Sequence, residues 1–109
     1  MTDQERLKNL KAIADLIRDR DLAALSRAQV AKARTETLLR ALDLCPASSQ
    51  PNSAAAAQVA EKYGLWTTNR RILLNQQHAR DTAAWIAERE AAQKAFGRSE
   101  VMGRLLTRK

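Results

Sequence analysis

An all-α fold, two long helices doubling back as an antiparallel coiled-coil hairpin, is predicted by three features of this 109-residue sequence. Both prolines, Pro46 and Pro51, fall in one short stretch, C-P-A-S-S-Q-P-N-S from Cys45 to Ser53. Each lacks a backbone donor and disfavours helical geometry in the residue before it, and the Ser and Asn around them have turn chemistry. On either side lies a long proline-free segment rich in Ala, Leu, Arg, Glu, Lys and Gln, the composition of long helices. In the first segment, apolar residues recur at alternating spacings of three and four, the period of a helix seam. The expected order is a helix over about 3–44, a turn over 45–53 and a helix over about 54–106, forming one hairpin.

The first arm opens on Thr2-Asp3-Gln4-Glu5, a capping box in which the Thr2 hydroxyl and the Glu5 carboxylate satisfy each other's backbone N–H. Asp3 and Glu5 also suit the positive end of the helix dipole. Stepping by three and four from Leu7 visits Leu10, Ala14, Ile17, Asp21, Ala24, Ala28, Ala31, Thr35, Leu38 and Leu42, and nine of these eleven positions are apolar. Large residues hold the ends of this stripe and alanine its centre. Asp21 interrupts it, as a polar position that fixes register does.

Ser53, before four alanines, is the expected N-cap of the second arm. The stripe there runs through Val59, Tyr63, Trp66, Leu73, Ala84, Ala91, Ala95, Met102 and Leu106, broken by Arg70, Gln77, Asp81 and Glu88. Gly64 weakens the helix locally or marks a close approach of the arms. Folding about residue 49 pairs positions whose numbers add to about 98, given ideal helices. Tyr63 and Trp66 then face Thr35 and Ala31, Leu73 comes near Ala24, and Gln77 meets Asp21 as a polar layer. Trp66 is expected in the core. In this register roughly the last thirteen residues, from Phe96 onward, have no partner on the first arm.

Net charge is +7, with +2 contributed up to Asp43 (nine basic, seven acidic) and +5 from Ser53 onward (ten basic, five acidic). A basic second arm suits an acidic partner surface. The N-terminus lacks a signal-peptide layout and no apolar run reaches the ~20 residues of a membrane span, so a cytoplasmic protein without membrane insertion is expected, at most peripheral to the inner face of the membrane. Lone Cys45 permits no disulfide within the chain. His78, the single histidine, has no ligand set at metal spacing, Cys45 has no histidine placed for nucleophilic work, and there is no phosphate-binding glycine loop. Neither an enzyme nor a cofactor is expected. The residues marked for partner binding are Trp85, at the edge of the stripe, and Phe96, Arg98, Val101, Met102, Arg104, Leu105 and Leu106, an apolar stripe with basic flanks.

The second arm resembles the FliJ family of flagellar export proteins and its type III secretion counterparts, the YscO-like stalks. The likeness rests on W-x3-R-x2-L-L-N-Q-Q from Trp66 to Gln77 and W-I-A-E-R-E-A-A-Q-K-A-F-G-R from Trp85 to Arg98. The resemblance implies a non-enzymatic stalk, a long antiparallel coiled coil similar to the central shaft of rotary ATP synthases, that engages the ring-shaped export ATPase and the membrane export gate protein. Two alternatives come from the residues themselves. A basic nucleic-acid-associated helical protein fits the charge, but no aromatics interleave with a basic face and no reading head is present, so nucleic acid is the weaker partner. A small secretion chaperone or adaptor would instead form a homodimer, closing into a four-helix bundle.

Overall fold

A computed structural model describes residues 2–44 and 53–108. Helix α1 spans Asp3–Leu44 and helix α2 spans Ala54–Thr107, with no strand among the described residues. The fold is the all-α antiparallel hairpin of two long helices. The expected turn lies outside the described residues, apart from Ser53.

Both helix starts are made by the residues that announce them. Glu5 N–H donates to Thr2 Oγ1 (3.2 Å) while Thr2 N–H donates to Glu5 Oε2 (3.3 Å), closing the capping box. Ser53 Oγ accepts from Ala56 N–H at 3.1 Å. Both helices run unbroken where no proline removes a donor, and Gly64, Gly97 and Gly103 are absorbed in α2. A Cβ on Gly64 would meet nothing within 4 Å, so Gly64 marks no close approach.

The helices pack in two compact units, Met1–Val30 with Ala83–Lys109 and Ala31–Thr82. In the first unit, Gln4, Leu7, Lys11, Ala14, Arg18, Asp21, Leu25 and Ala28 of α1 are partly buried at alternating steps of three and four. They meet Ala92, Ala95 and Ser99 of α2, each 3% exposed. In the second unit the corresponding α1 residues are Lys32, Thr35, Leu39 and Leu42, and on α2 they are Thr67, Arg71, Leu74, His78 and Asp81.

This seam corrects the sequence reading. Every second expected position on α1 is right: Leu7, Ala14, Asp21, Ala28, Thr35 and Leu42 all turn inward. Of the alternate positions, Ile17 and Ala24 are partly buried as expected, whereas Leu10 (49% exposed), Ala31 and Leu38 (41%) face outward, and Lys11, Arg18, Leu25, Lys32 and Leu39, one residue further on, join the seam. A hydrophobicity count assigns Lys and Arg to the surface, whereas here their charged heads are met by polar groups at the seam: Lys11 by Asp15, Arg18 by Ser99 and Asp15, and Lys32 by Glu36. On α2, Val59, Tyr63, Trp66 and Leu73 are exposed, and Trp66, expected in the core, is 54% exposed.

The pairing rule is corrected as well. Contacts join Asp15 to Ser99, Glu36 to His78 and Asp43 to Arg71, pairs whose numbers each add to 114. The partner of a given α1 residue therefore lies 16 positions further along α2 than a fold about residue 49 gives, about 24 Å at 1.5 Å per residue. The Asp21–Gln77 layer is not formed: Asp21 accepts from its neighbour Arg20, and Gln77 donates to Asp81. Nor do the last thirteen residues lack a partner. Ser99 and Met102 pack against α1, and Gly103 lies 3.7 Å from the Lys11 side chain. Within the second unit it is residues 54–66 of α2, exposed except for partly buried Ala60, that precede the first cross-helix hydrogen bond at Arg71. Apolar size-matching favoured the shorter register; the observed one gives the buried Ser99, Thr35 and Asp81 polar partners, and a buried polar group without a partner is costly.

Candidate functional site

Two kinds of feature stand out: polar layers inside the seam and apolar clefts beside it. In the first unit, Ser99 of α2 donates to Asp15 Oδ1 at 2.5 Å and accepts from Arg18 Nη1 at 3.1 Å. Lys11 Nζ binds both Asp15 oxygens at 3.1 and 3.0 Å. The Ser99 hydroxyl, then the Lys11 ammonium, hold the Asp15 carboxyl below its ordinary value. In the second unit, Asp81 is 9% exposed and both its oxygens are occupied: Thr35 Oγ1 donates at 2.5 Å and Gln77 Nε2 at 2.8 Å. Those two bonds, Thr35 first, depress its pKa. One turn away, Glu36 Oε1 lies 2.9 Å from Lys32 Nζ and 3.2 Å from His78 Nε2, and its pKa is lowered in that order of cause. These groups are saturated by one another. The carboxylates of these layers act as register pins, as polar seam residues do.

The clefts have the opposite character. In the first unit, Leu10, Ile13, Ile17 and Met102 surround Ala14 and Ala95 in a cleft of about 200 Å³, with Arg98 at its edge. On another side of the same unit, Leu22, Leu25, Ala92 and Phe96 line about 340 Å³ with Arg89. In the second unit, Leu38, Leu42, Tyr63, Trp66 and Leu74 line about 500 Å³ with Arg70. The Tyr63 and Trp66 rings stack there at 5.9 Å. Each cleft is apolar and carries one arginine but no carboxylate among its lining residues, a composition found at protein-binding surfaces.

The residues marked from sequence for partner binding all lie on α2 in the first unit. Phe96 (51% exposed), Val101 (52%) and Leu105 (39%) face outward with Arg98 and Arg104; Met102 and Leu106 are partly buried. Trp85 stands apart from them, partly buried, with the Arg89 guanidinium 4.7 Å from its ring centroid. Sequence reasoning did not single out Asp15 and Ser99, and it placed Thr35 and Asp81 on the stripes without pairing them. Their signal is present in hindsight: Asp81 and Ser99 keep step with Glu88, Ala95 and Met102 at seam spacing.

Among the described residues no group of His, Cys, Asp or Glu is placed to hold a metal, and no helix is long and apolar enough to cross a membrane. No protein-family model, curated protein or solved structure matches the chain.

Proposed function

We propose that this protein is a non-enzymatic coiled-coil stalk of a flagellar or type III protein export apparatus, of FliJ or YscO kind, that binds the export ATPase. The observation that carries the reading is the outer face of α2 in the first unit. Ala95 and Ser99 anchor that segment in the seam, each 3% exposed, while Phe96 and Val101 stand more than half exposed on the stretch that carries Arg98 and Arg104. A rigid helix that presents aromatic, aliphatic and guanidinium groups binds at low entropic cost, and Arg and aromatic residues supply most binding hot spots. The resemblance of Trp66–Gln77 and Trp85–Arg98 to the export stalks names the partner, and the export gate protein follows from the same likeness.

Binding of the intact chain to the cognate export ATPase, followed by calorimetry, is the test. Binding that weakens about tenfold or more in Phe96→Ala and Arg98→Glu is expected, since hot-spot truncations cost upward of ~2 kcal/mol. An intact chain that does not bind the ATPase refutes the reading.

A further inference from the structure

We infer that one flank of the first unit, the flank holding Leu10, Ile13 and Arg98, is the surface through which the protein lies on an anionic phospholipid bilayer. The observation that carries this is how charge divides between the two flanks of the seam. On one flank run the residues met at steps of three and four from Asp3 to Arg27 on α1 and from Ala84 to Arg108 on α2. Leu10, Ile13 and Ile17 of the first row and Arg98 of the second line one cleft, so both rows lie on the same side. These rows carry Arg6, Arg20, Arg27, Lys94, Arg98 and Arg108, all exposed, against the single carboxylate Asp3. The other flank, the side of the Leu22 and Phe96 cleft, carries Glu5, Asp15, Asp19 and Glu100 against Lys8 and Arg89. The first flank is therefore complementary to an anionic surface and the second is not.

What stands between the cations selects lipid over nucleic acid. Arg6 lies level with Arg108, and Arg20 with Lys94, in the register set by Asp15 and Ser99. Exposed Leu10, Ile13, Val101 and Leu105 lie between these two cation pairs, a patch about 20 Å long at 1.5 Å per residue. Arg6 is 3.9 Å from Asp3 and Arg20 is 3.2 Å from Asp21 of the seam, whereas Arg27, Lys94 and Arg98 form no ion pair among the described residues. Guanidinium and ammonium groups meet lipid phosphates while aliphatic side chains enter the acyl boundary, and both hold a helix at an interface. A nucleic-acid contact draws also on Ser, Thr, Asn and Gln, and neither row contains one. The second unit, taken by itself, divides its charge the same way. Arg34, Arg70 and Arg80 share a flank with Tyr63 and Trp66 and no carboxylate, while Glu36, Asp43 and Glu61 share the other with Arg40. Tyr and Trp are side chains of the membrane interface.

The inference is independent of the export reading, since lipid binding is measured without the ATPase. Co-sedimentation of the full chain with vesicles of phosphatidylcholine and phosphatidylglycerol is the test. Binding is expected to the mixed vesicles and not to phosphatidylcholine alone, and it should weaken with added salt, which screens the attraction. The double variant Arg27→Glu/Lys94→Glu should weaken binding about twentyfold or more, because two cations near an anionic surface are lost. Lys8→Glu/Arg89→Glu changes the net charge equally, but on the far flank. Those charges stand ~10 Å away, a helix diameter and one Debye length, so the loss should stay below about threefold. Ile13→Asn should weaken binding about fivefold or more as apolar burial is lost. Circular dichroism should show all three variants as helical as the parent, which separates lost binding from lost fold. Equal losses from the two double variants, equal binding to phosphatidylcholine alone, an Ile13→Asn variant that binds as the parent does, or tighter binding to duplex DNA than to the mixed vesicles would overturn the inference.

Discussion

Thr35 and Asp81 show how one polar pair outranks several leucines in fixing an arrangement. The Thr35 hydroxyl reaches Asp81 across the seam at 2.5 Å, and at 5% exposure it has little access to water. Thr35→Val keeps the shape and removes the donor, leaving a desolvated carboxylate oxygen, so it should destabilise more than its volume change suggests. Asp15, Glu36 and Asp81 all have folded pKa values below their unfolded ones, so each binds protons more weakly in the native state. Their stabilisation is present in full above the unfolded carboxylate range and is lost as pH falls through that range and past the lowered folded values. Thermal melts from pH 7 to pH 2 should show that loss, and Asp81→Asn should flatten part of it. An acid limb identical in wild type and Asp81→Asn would mean that this carboxylate does not contribute. Leu74, 6% exposed, is one of the few buried apolar side chains, and Leu74→Ala should cost about 2–5 kcal/mol in a denaturant melt.

Each helix starts where its own residues specify, and its face is chosen elsewhere. Thr2, Glu5 and Ser53 are local signals, read within four residues of chain, and each makes the bond its position predicts. Thr2→Ala or Ser53→Ala should therefore cost about 1 kcal/mol, measurable as a shift in melting midpoint. Gly64 lies in α2 with open space where a Cβ would go, so Gly64→Ala should stabilise by up to about 1 kcal/mol. A destabilised Gly64→Ala would reveal a close neighbour at that point. The seam face was half legible. Leu7, Ala14, Ala28 and Leu42 are apolar and inward, and the periodicity finds them. Lys11, Arg18 and Lys32 are partly buried too, and no hydrophobicity count places them there, because their position depends on the polar partners Asp15, Ser99 and Glu36.

At the scale of the molecule, the two-helix fold was legible because it needs only a breaker, two long proline-free segments and a seam period. The register was not, because it depends on which polar groups find partners across the seam. Asp15 with Ser99 and Thr35 with Asp81 are separated by 84 and 46 residues, beyond any local pattern. Neither was the candidate surface wholly legible. Phe96, Arg98 and Val101 were marked because their segment was expected to lack a partner on α1; they are exposed for a different reason, as the outer face of a helix whose inner face is anchored. The seam's charged residues and its outward leucines are two sides of one fact. A hairpin that spends seam positions on Lys and Arg leaves apolar side chains beside the seam, where association can bury them.

The register supports every statement about which residues face outward, and thiol cross-linking tests it directly. In a Cys45→Ser background, Glu36→Cys paired with His78→Cys should be joined within one chain by a short bifunctional reagent, since the native side chains approach to 3.2 Å. Glu36→Cys paired with Lys62→Cys, 16 positions away from His78 on α2, should stay open. Efficient joining of 36 to 62, with none between 36 and 78, would contradict the account.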